Sequence, residues 1–405
     1  MLKFALKNMG VKKVQIILII ISIIISASVG VLAFNVSSQV SDGLENNTGY
    51  YSAIIGPSGS KTQLAMNSIY FTEDALGTIP YSIVEELERD SNIISAIPLT
   101  MGEYYNGFKV IGTSSQLLKD KELKEGALFD DSKATMGAVV GYRVAEENGL
   151  KIGSPLHTSH FATGGTAHEG LTVVGILEET YSTYDTAVFI NFRTIWEMHE
   201  HGDEGDHEEG DEHEGEEHDH AHGTVCSILV NTKSLGAAMT LIEEYKNKTI
   251  EQDGKVYSVQ AIDPSESIRV VLDDADDTKY IVFVLCAIIL IMNIIVISII
   301  TLLNMYHSSK EISLMRLIGI SMKKINLLYI IQNSIIGLFA TAFAFGVSRL
   351  CLLMVSDYVA DMGVVLNIGA VYASEIFILL GIFLISVIPT VICTFVMAKK
   401  DSLAE

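Results

Sequence analysis

Seven histidines fall within the 24 residues from His199 to His222, HEHGDEGDHEEGDEHEGEEHDHAH, among twelve acidic residues, four glycines and one alanine. Imidazole and carboxylate are the ligands of borderline and hard divalent cations. The spacings His199-x-His201 and His218-x-His220-x-His222 let several imidazoles converge on one ion, with His207 and His213 as further donors. Zn, Ni and Cu are the candidate ions, and a site without fixed geometry follows the general affinity order, with copper strongest. The surrounding carboxylates attract cations and raise the imidazole pKa values, so protons compete with metal as pH falls. The alternative is a hydrophilic insertion that binds metal only incidentally. His157, His160 and His168 stand upstream, either as a more ordered extension of this set or as surface residues beside Gly164 and Gly165. No cofactor is required by any other feature.

Other chemistry is sparse. GPSGSKT, from Gly56 to Thr62, approaches a phosphate-binding loop, but its spacing is one residue short and the glycine before Lys61 is missing. It reads as a turn, and the chain carries no ATPase of its own. No nucleophile and base pair stands out, and Asp185 and the Asp273, Asp274, Asp276, Asp277 cluster read as solvated or helix-capping residues, so a non-enzymatic chain is expected. Cys286 and Cys393 lie in apolar runs, Cys351 ends one, and Cys226 is alone in a polar region, which argues against a disulfide framework.

The His-rich stretch has no large apolar side chain and cannot enter a core, so it reads as a disordered loop inserted after a helix at Phe192 to Met198. The elements around it follow from the hydrophobic pattern. The chain has 405 residues, 49% of them hydrophobic. Four uncharged runs, Val14 to Phe34, Ile281 to Leu303, Leu327 to Val347 and Ile376 to Met397, approach or exceed the roughly 20 residues that cross a bilayer as a helix. A cleaved signal peptide is the other reading of the first run, but its length favours a full span. The intervening residues 35–279 contain short strand patterns at Tyr50 to Ile55, Phe108 to Ile111, Leu171 to Leu177, Ala187 to Ile190 and Cys226 to Val230, and helical ones at Ser82 to Arg89, Arg143 to Asn148 and Leu235 to Lys246. The expected fold is therefore a membrane protein with four transmembrane α-helices and a large α+β extracytoplasmic domain, in two subdomains, between helices 1 and 2. Ser265 to Lys279 is expected to run unbroken into the second span from Pro264.

This reading divides the chain into an N-terminal segment (1–13), span one (14–34), the extracytoplasmic domain (35–279, with the loop at 199–222), span two (280–305), a cytoplasmic segment (306–325), span three (326–348), an outer loop (349–374), span four (375–397) and a tail (398–405). Lys3, Lys7, Lys12 and Lys13, four basic residues between spans two and three, and Lys399 and Lys400 put both termini and that segment inside the cell by the positive-inside rule. Cell-membrane (inner or cytoplasmic membrane) localisation follows, with lipid as the first partner. Residues 35–279 hold 16 basic and 43 acidic residues, a balance that repels nucleic acid. In the 306–325 segment, Ile312, Met315 and Ile318 or Gly319 recur at helical spacing, consistent with an amphipathic helix against the membrane or with a solvated connector.

KEISLMRLIGISMKKINLLYIIQNSIIG, from Lys310 to Gly337, resembles the signature of FtsX/MacB-type ABC transporter permeases. VVGYRVAEENGLKIGSPL, LTVVGILEET, TAVFINFRTIWEMH and IIGPSGSKTQLAMNSIY are similar to that family's extracytoplasmic core. The resemblance covers nearly the whole chain. It implies a permease homodimer that works with two copies of a separate ABC ATPase subunit, coupling ATP hydrolysis to extracytoplasmic work or export, with room for an extracytoplasmic adaptor or binding protein. Carried over by position, the segment from Glu311 to Lys324 is the part received by the ATPase. Leu314, Met315 and Leu317 would be its apolar contacts, and Gly319, Lys323 and Lys324 would complete it. The cell-division branch of the family implies the alternative, a transmembrane regulator or scaffold of a cell-envelope process without transport. An acidic residue common early in the third helix is replaced here by Gln332, and the C-terminal DSLAE lacks the usual proline.

Overall fold

The long apolar runs become helices and the short alternating ones strands in the computed structural model, which describes residues 13–48, 51–160, 167–200, 223–307, 309–360 and 364–401. Two units result: a helical one from Met1–Gln39, Ala275–Asp357 and Asn367–Glu405, and a sheet domain from Val40–Asp274 and Tyr358–Leu366.

Helix α1 (Lys13–Thr48) is followed by the sheet domain. Its strands are β1 (Ala53–Pro57), β2 (Ile79–Pro80), β3 (Ile93–Tyr105), β4 (Phe108–Thr113), β5 (Leu123–Gly126), β6 (Gly137–Val140), β7 (Pro155–Ser159), β8 (Ala167–Leu177), β9 (Ala187–Asn191), β10 (Thr224–Val225), β11 (Ser227–Thr232), β12 (Lys248–Gln252) and β13 (Lys255–Ile262). Its helices are α2 (Lys61–Tyr70), α3 (Ser82–Arg89), α4 (Tyr142–Asn148), α5 (Phe192–Glu200) and α6 (Leu235–Glu244). Eleven strands form one mixed sheet in the order β12-β13-β1-β11-β3-β4-β9-β6-β8-β5, with β7 joined to β3 and β8. The β4–β9 and β6–β8 pairs are parallel and the others antiparallel.

The two expected subdomains are two cores along one continuous sheet. Ile55, Val84, Leu87, Val230, Leu241 and Tyr245 belong to the first; Val110, Val140, Val144, Leu156, Val173 and Ile190 belong to the second. Strands β1 and β9 are buried at every position, which is why their sequences read as unbroken apolar runs. The longest strand, β3, is hidden in the sequence by Pro98 and Gly102. Pro98 lies before the first β3–β4 pair, Leu99 with Thr113, where only β11 borders the strand, and Gly102 (φ +148°) forms the bulge between Met101 and Glu103. Of the Gly56 to Thr62 stretch expected as a turn, Gly56 and Pro57 end β1 and Lys61 and Thr62 begin α2; only Ser58 to Ser60 turn between them, and Ser60 accepts a hydrogen bond from the Gln63 amide as the N-cap of α2.

The helical unit also comprises α7 (Pro264–His307), α8 (Ser309–Leu317), α9 (Met322–Ala360) and α10 (Ala373–Asp401). Four stretches are long and apolar enough to cross a membrane: Ile16–Gly43, Phe283–Ile300, Lys324–Ala360 and Ala373–Ile392. Helix α7 is unbroken from Pro264, as expected, with the Asp263 carboxylate accepting from the Ser265 amide at its start. Ile23, Ala27, Ile297, Ile336, Ala340, Ala344 and Ile382 make the common core. Small residues let the helix backbones approach: a Cβ on Gly337 would come within 2.3 Å of Ser386 Oγ. Helix α9 runs past the expected end at 348, so much of the outer loop placed at 349–374 is helix. Arg349, a charge that ends the apolar run, lies inside α9 because it pairs with Glu375 of α10.

Candidate functional site

The segment between the second and third spans folds as a short helix, a glycine turn and the start of α9. Helix α8 ends in a Schellman motif: the Gly319 amide donates to the Arg316 carbonyl (2.9 Å) and the Ile320 amide to the Met315 carbonyl (3.0 Å). Gly319 has φ +88°, which glycine adopts without a Cβ penalty. Past the turn, the amides of Lys324 and Ile325 donate to the Ser321 carbonyl and begin α9.

This turn sorts the apolar side chains into two sets. Ile312, Ile325 and Tyr329 are buried together, with Met315, Ile320 and Met322 packed against them. Leu314, Leu317 and Ile318 are 62%, 84% and 73% exposed. Met315 therefore faces inward while Leu314 and Leu317 face out. Ile318, grouped in the sequence with Ile312 and Met315, lies beyond the last helical residue and joins the exposed set instead. Lys324 is exposed. Glu311 and Lys323 occupy α8 and the first turn of α9, and their side chains lie outside the described residues.

The His-rich loop leaves from α5, which packs on both cores of the sheet. Phe192 and Trp196 enter the first core; Ile195 and Met198 enter the second. Trp196 Nε1 donates to the Thr224 carbonyl at 2.8 Å, which ties α5 to β10. His199 lies in the last turn of α5 by its main chain; its side chain, and His201, His207, His213, His218, His220 and His222, lie outside the described residues. Among the described residues no group of three or more His, Cys, Asp or Glu side chains gathers as a metal centre. Of the upstream histidines, His157 is exposed on β7 and His168 pairs by its main chain with Thr158. His160 Nδ1 lies 2.9 Å from Oε1 of the buried Glu103, and this hydrogen bond raises the His160 pKa above its ordinary 6.5.

Asp185, expected to be solvated, is buried. Its Oδ1 accepts from the Thr180 amide (2.9 Å) and hydroxyl (2.7 Å), and desolvation raises its pKa. It closes the 180–185 turn. Asp273, Asp274, Asp276 and Asp277 lie within α7 by their main chain, and their side chains lie outside the described residues. Cys226 is free and buried; desolvation pushes its thiol up to about 11, so the thiolate that would react is suppressed.

A polar cluster in the helical unit escaped the sequence pattern. Glu375, at the start of α10, has no solvent exposure and accepts hydrogen bonds from Asn35 of α1 and Arg349 of α9. Arg349 also donates to the Ile368 carbonyl at 3.2 Å. The Gln39 side chain donates to Asn35 Oδ1 (2.5 Å) and to the Asn367 carbonyl (3.2 Å), and accepts from the Asn367 amide (2.6 Å). Its sequence signal is a charge on either side of the connection between α9 and α10. Nearer the other end of α9, Asn333 donates to Thr390 of α10, and Gln332 is buried.

The family model of the MacB-like periplasmic core domain matches residues 15–245, and that of the FtsX-like permease C-terminal domain matches residues 281–401. Among solved structures, the chain is similar to the periplasmic region of MacB from Actinobacillus actinomycetemcomitans, at 13% identity and a TM-score of 0.36, covering 56% of this chain and 94% of that one. No curated protein matches the sequence.

Proposed function

We propose, from the premise that the chain belongs to the FtsX/MacB-type ABC permease family, that it couples ATP hydrolysis on a separate ATPase subunit to work at its extracytoplasmic domain. The observation that carries this reading is the apolar tip Leu314, Leu317 and Ile318. Three large aliphatic side chains are left uncovered by their own chain beside the turn at Gly319, while the neighbouring Ile312 and Met315 pack inward. An exposed apolar set on an ordered support is what a partner's groove needs. Glu311, Lys323 and Lys324 supply charge around it. The continuous α7 then offers a mechanical path, because a helix satisfies its own backbone and moves as one body.

In this reading both termini and the α8 turn are cytoplasmic, and two copies of the chain pair in the cell membrane. The apolar face of α7 supports pairing, since Phe283, Leu285, Ile288 and Ile291 are uncovered within one chain, a face that lipid also satisfies. Residues 199–222 would bind Zn, Ni or Cu and make the work metal-linked, as the histidine spacing supports. The chain itself does no covalent chemistry. The test is the ATPase activity of the purified complex, with Leu317→Asp expected to abolish the permease's effect on hydrolysis while the chain stays folded; an unchanged rate would sink the reading. Zn2+ titration with and without residues 199–222 tests the loop, and equal binding in both would remove its metal role.

The cell-envelope regulator is the second reading. It is favoured by the Asn35, Arg349 and Glu375 cluster, in which polar groups buried among the spans bond one another. Deletion that alters cell shape with substrate accumulation unchanged would support it over transport.

A further inference from the structure

Within the sheet domain Glu103 holds a carboxylate with no solvent exposure, at the β3 bulge made by Gly102. The β3–β7 pairing of Tyr104 with Ser159 brings it beside His160, whose side chain is 34% exposed. A buried carboxylate is tolerated when a proton, a cationic partner or a metal neutralises it. Here the Nδ1–Oε1 separation is 2.9 Å. That distance suits one shared proton. It equally suits two cis donors on a first-row divalent ion, since bonds of about 2.0–2.2 Å at a right angle place the donors roughly 3 Å apart. Thr158 precedes His160 by two residues, near the end of β7, which His160 follows. It is buried, and its hydroxyl has no hydrogen-bond partner among the described residues.

We propose that Glu103 and His160 chelate a first-row divalent cation of the zinc class, with the Thr158 hydroxyl bonded to a water in the ion's shell. The Nδ1 proton moves to Nε2 or to solvent as the ion enters, and the remaining coordination positions open on the exposed side of the imidazole. The proposal deepens the metal-linked part of the reading above and rests on it for its purpose. Tyr105 and Leu156, near neighbours of Glu103 and His160 on their strands, share a core with Met198, in the helix that leads into residues 199–222. An ion gathered by the loop would then have a fixed receptor on that core.

The experiment is calorimetric titration of Zn2+, with Co2+ absorption as a spectroscopic check, on the full-length chain in detergent and on the same chain lacking residues 199–222. The loop-deleted chain is expected to bind one Zn2+ at pH 7.5, and His160→Gln and Glu103→Gln each to weaken that binding about tenfold or more. His157→Gln, on an exposed position of β7, should leave it unchanged. Because His160 is partly exposed, His160→Gln carries the test even if Glu103→Gln fails to fold. No binding by the loop-deleted chain, or binding that His160→Gln does not weaken, overturns the site. Failure of the loop reading looks different: the stoichiometry would be the same with and without residues 199–222.

Discussion

Helix α9 is flanked at its start by Leu314, Leu317 and Ile318, apolar side chains left uncovered by their own chain, and carries toward its other end Arg349, a cation bonded to a carboxylate with no exposure. Both placements reverse the ordinary rule of burial, in opposite senses. The buried charges have partners within the chain: Glu375 receives Arg349 and Asn35, and Gln39 extends the set to Asn367. The exposed aliphatic tip has no such cover in its own chain. One region is thus a junction whose described partners all lie within this chain, and the other is the surface proposed above as the partner contact.

The largest expected effect comes from breaking the junction. Glu375→Leu leaves the partly buried Arg349 without its carboxylate and should destabilise the helical unit by about 3 kcal/mol, whereas Glu375→Leu with Arg349→Leu should recover most of that loss. Thermal unfolding of both single variants and the double in detergent measures the coupling. Equal losses in single and double variants would show that packing, not the ion pair, sets the effect.

At the tip the expected cost falls on association. Leu317→Asp should weaken ATPase binding by about 2 kcal/mol, roughly thirtyfold, with the unfolding temperature unchanged. Met315→Asp, which puts a charge into the Ile312–Ile325–Tyr329 core, should lower the unfolding temperature. If both variants behaved alike, the division of this segment into an inward and an outward set would fail.

A smaller effect is expected at the turn that separates the two sets. A Cβ at Gly319 meets nothing within 4 Å, so Gly319→Ala is limited to the backbone cost of the left-handed conformation, about 1–2 kcal/mol. It should reduce partner binding by disordering the tip, and a binding assay against Leu317→Asp would rank the two.

The smallest effect contrasts Arg349 with a partner that can lose its charge. His160, paired with buried Glu103, has a pKa raised above 6.5, so its contribution to stability is full below about pH 6.5 and is lost as pH rises through the raised folded value. Unfolding of the wild-type chain should therefore become easier across that window relative to His160→Gln. Parallel pH profiles for the two chains would discount the pair.

Much of the fold was legible because it rests on short-range pattern. The strand signals at Phe108, Leu171, Ala187 and Cys226 fall on β4, β8, β9 and β11, and α3, α4 and α6 lie where helical spacing put them. The β12–β13 hairpin carries its own local signal in Asp253-Gly254, whose positive φ angles of 52° and 77° suit a two-residue turn. β3 was obscured because its proline and glycine are tolerated only through pairing that no local window reveals. Asp185 was misread for a similar reason: composition suggests water around a lone aspartate, and the Thr180 bonds that let it be buried are a matter of how the turn closes.

By itself the sequence determined the four apolar helices, the acidic α+β domain between the first two, and the histidine-rich composition of residues 199–222, because length, charge and residue type are properties of residues in order. Tertiary structure alone decided that Ile318 turns outward while Met315 turns in, that α5 is shared by two cores, and that Glu375 meets Arg349 and Asn35. Each of these depends on which side chains face one another across separate elements, and a burial cost is offset only when the partner arrives in space.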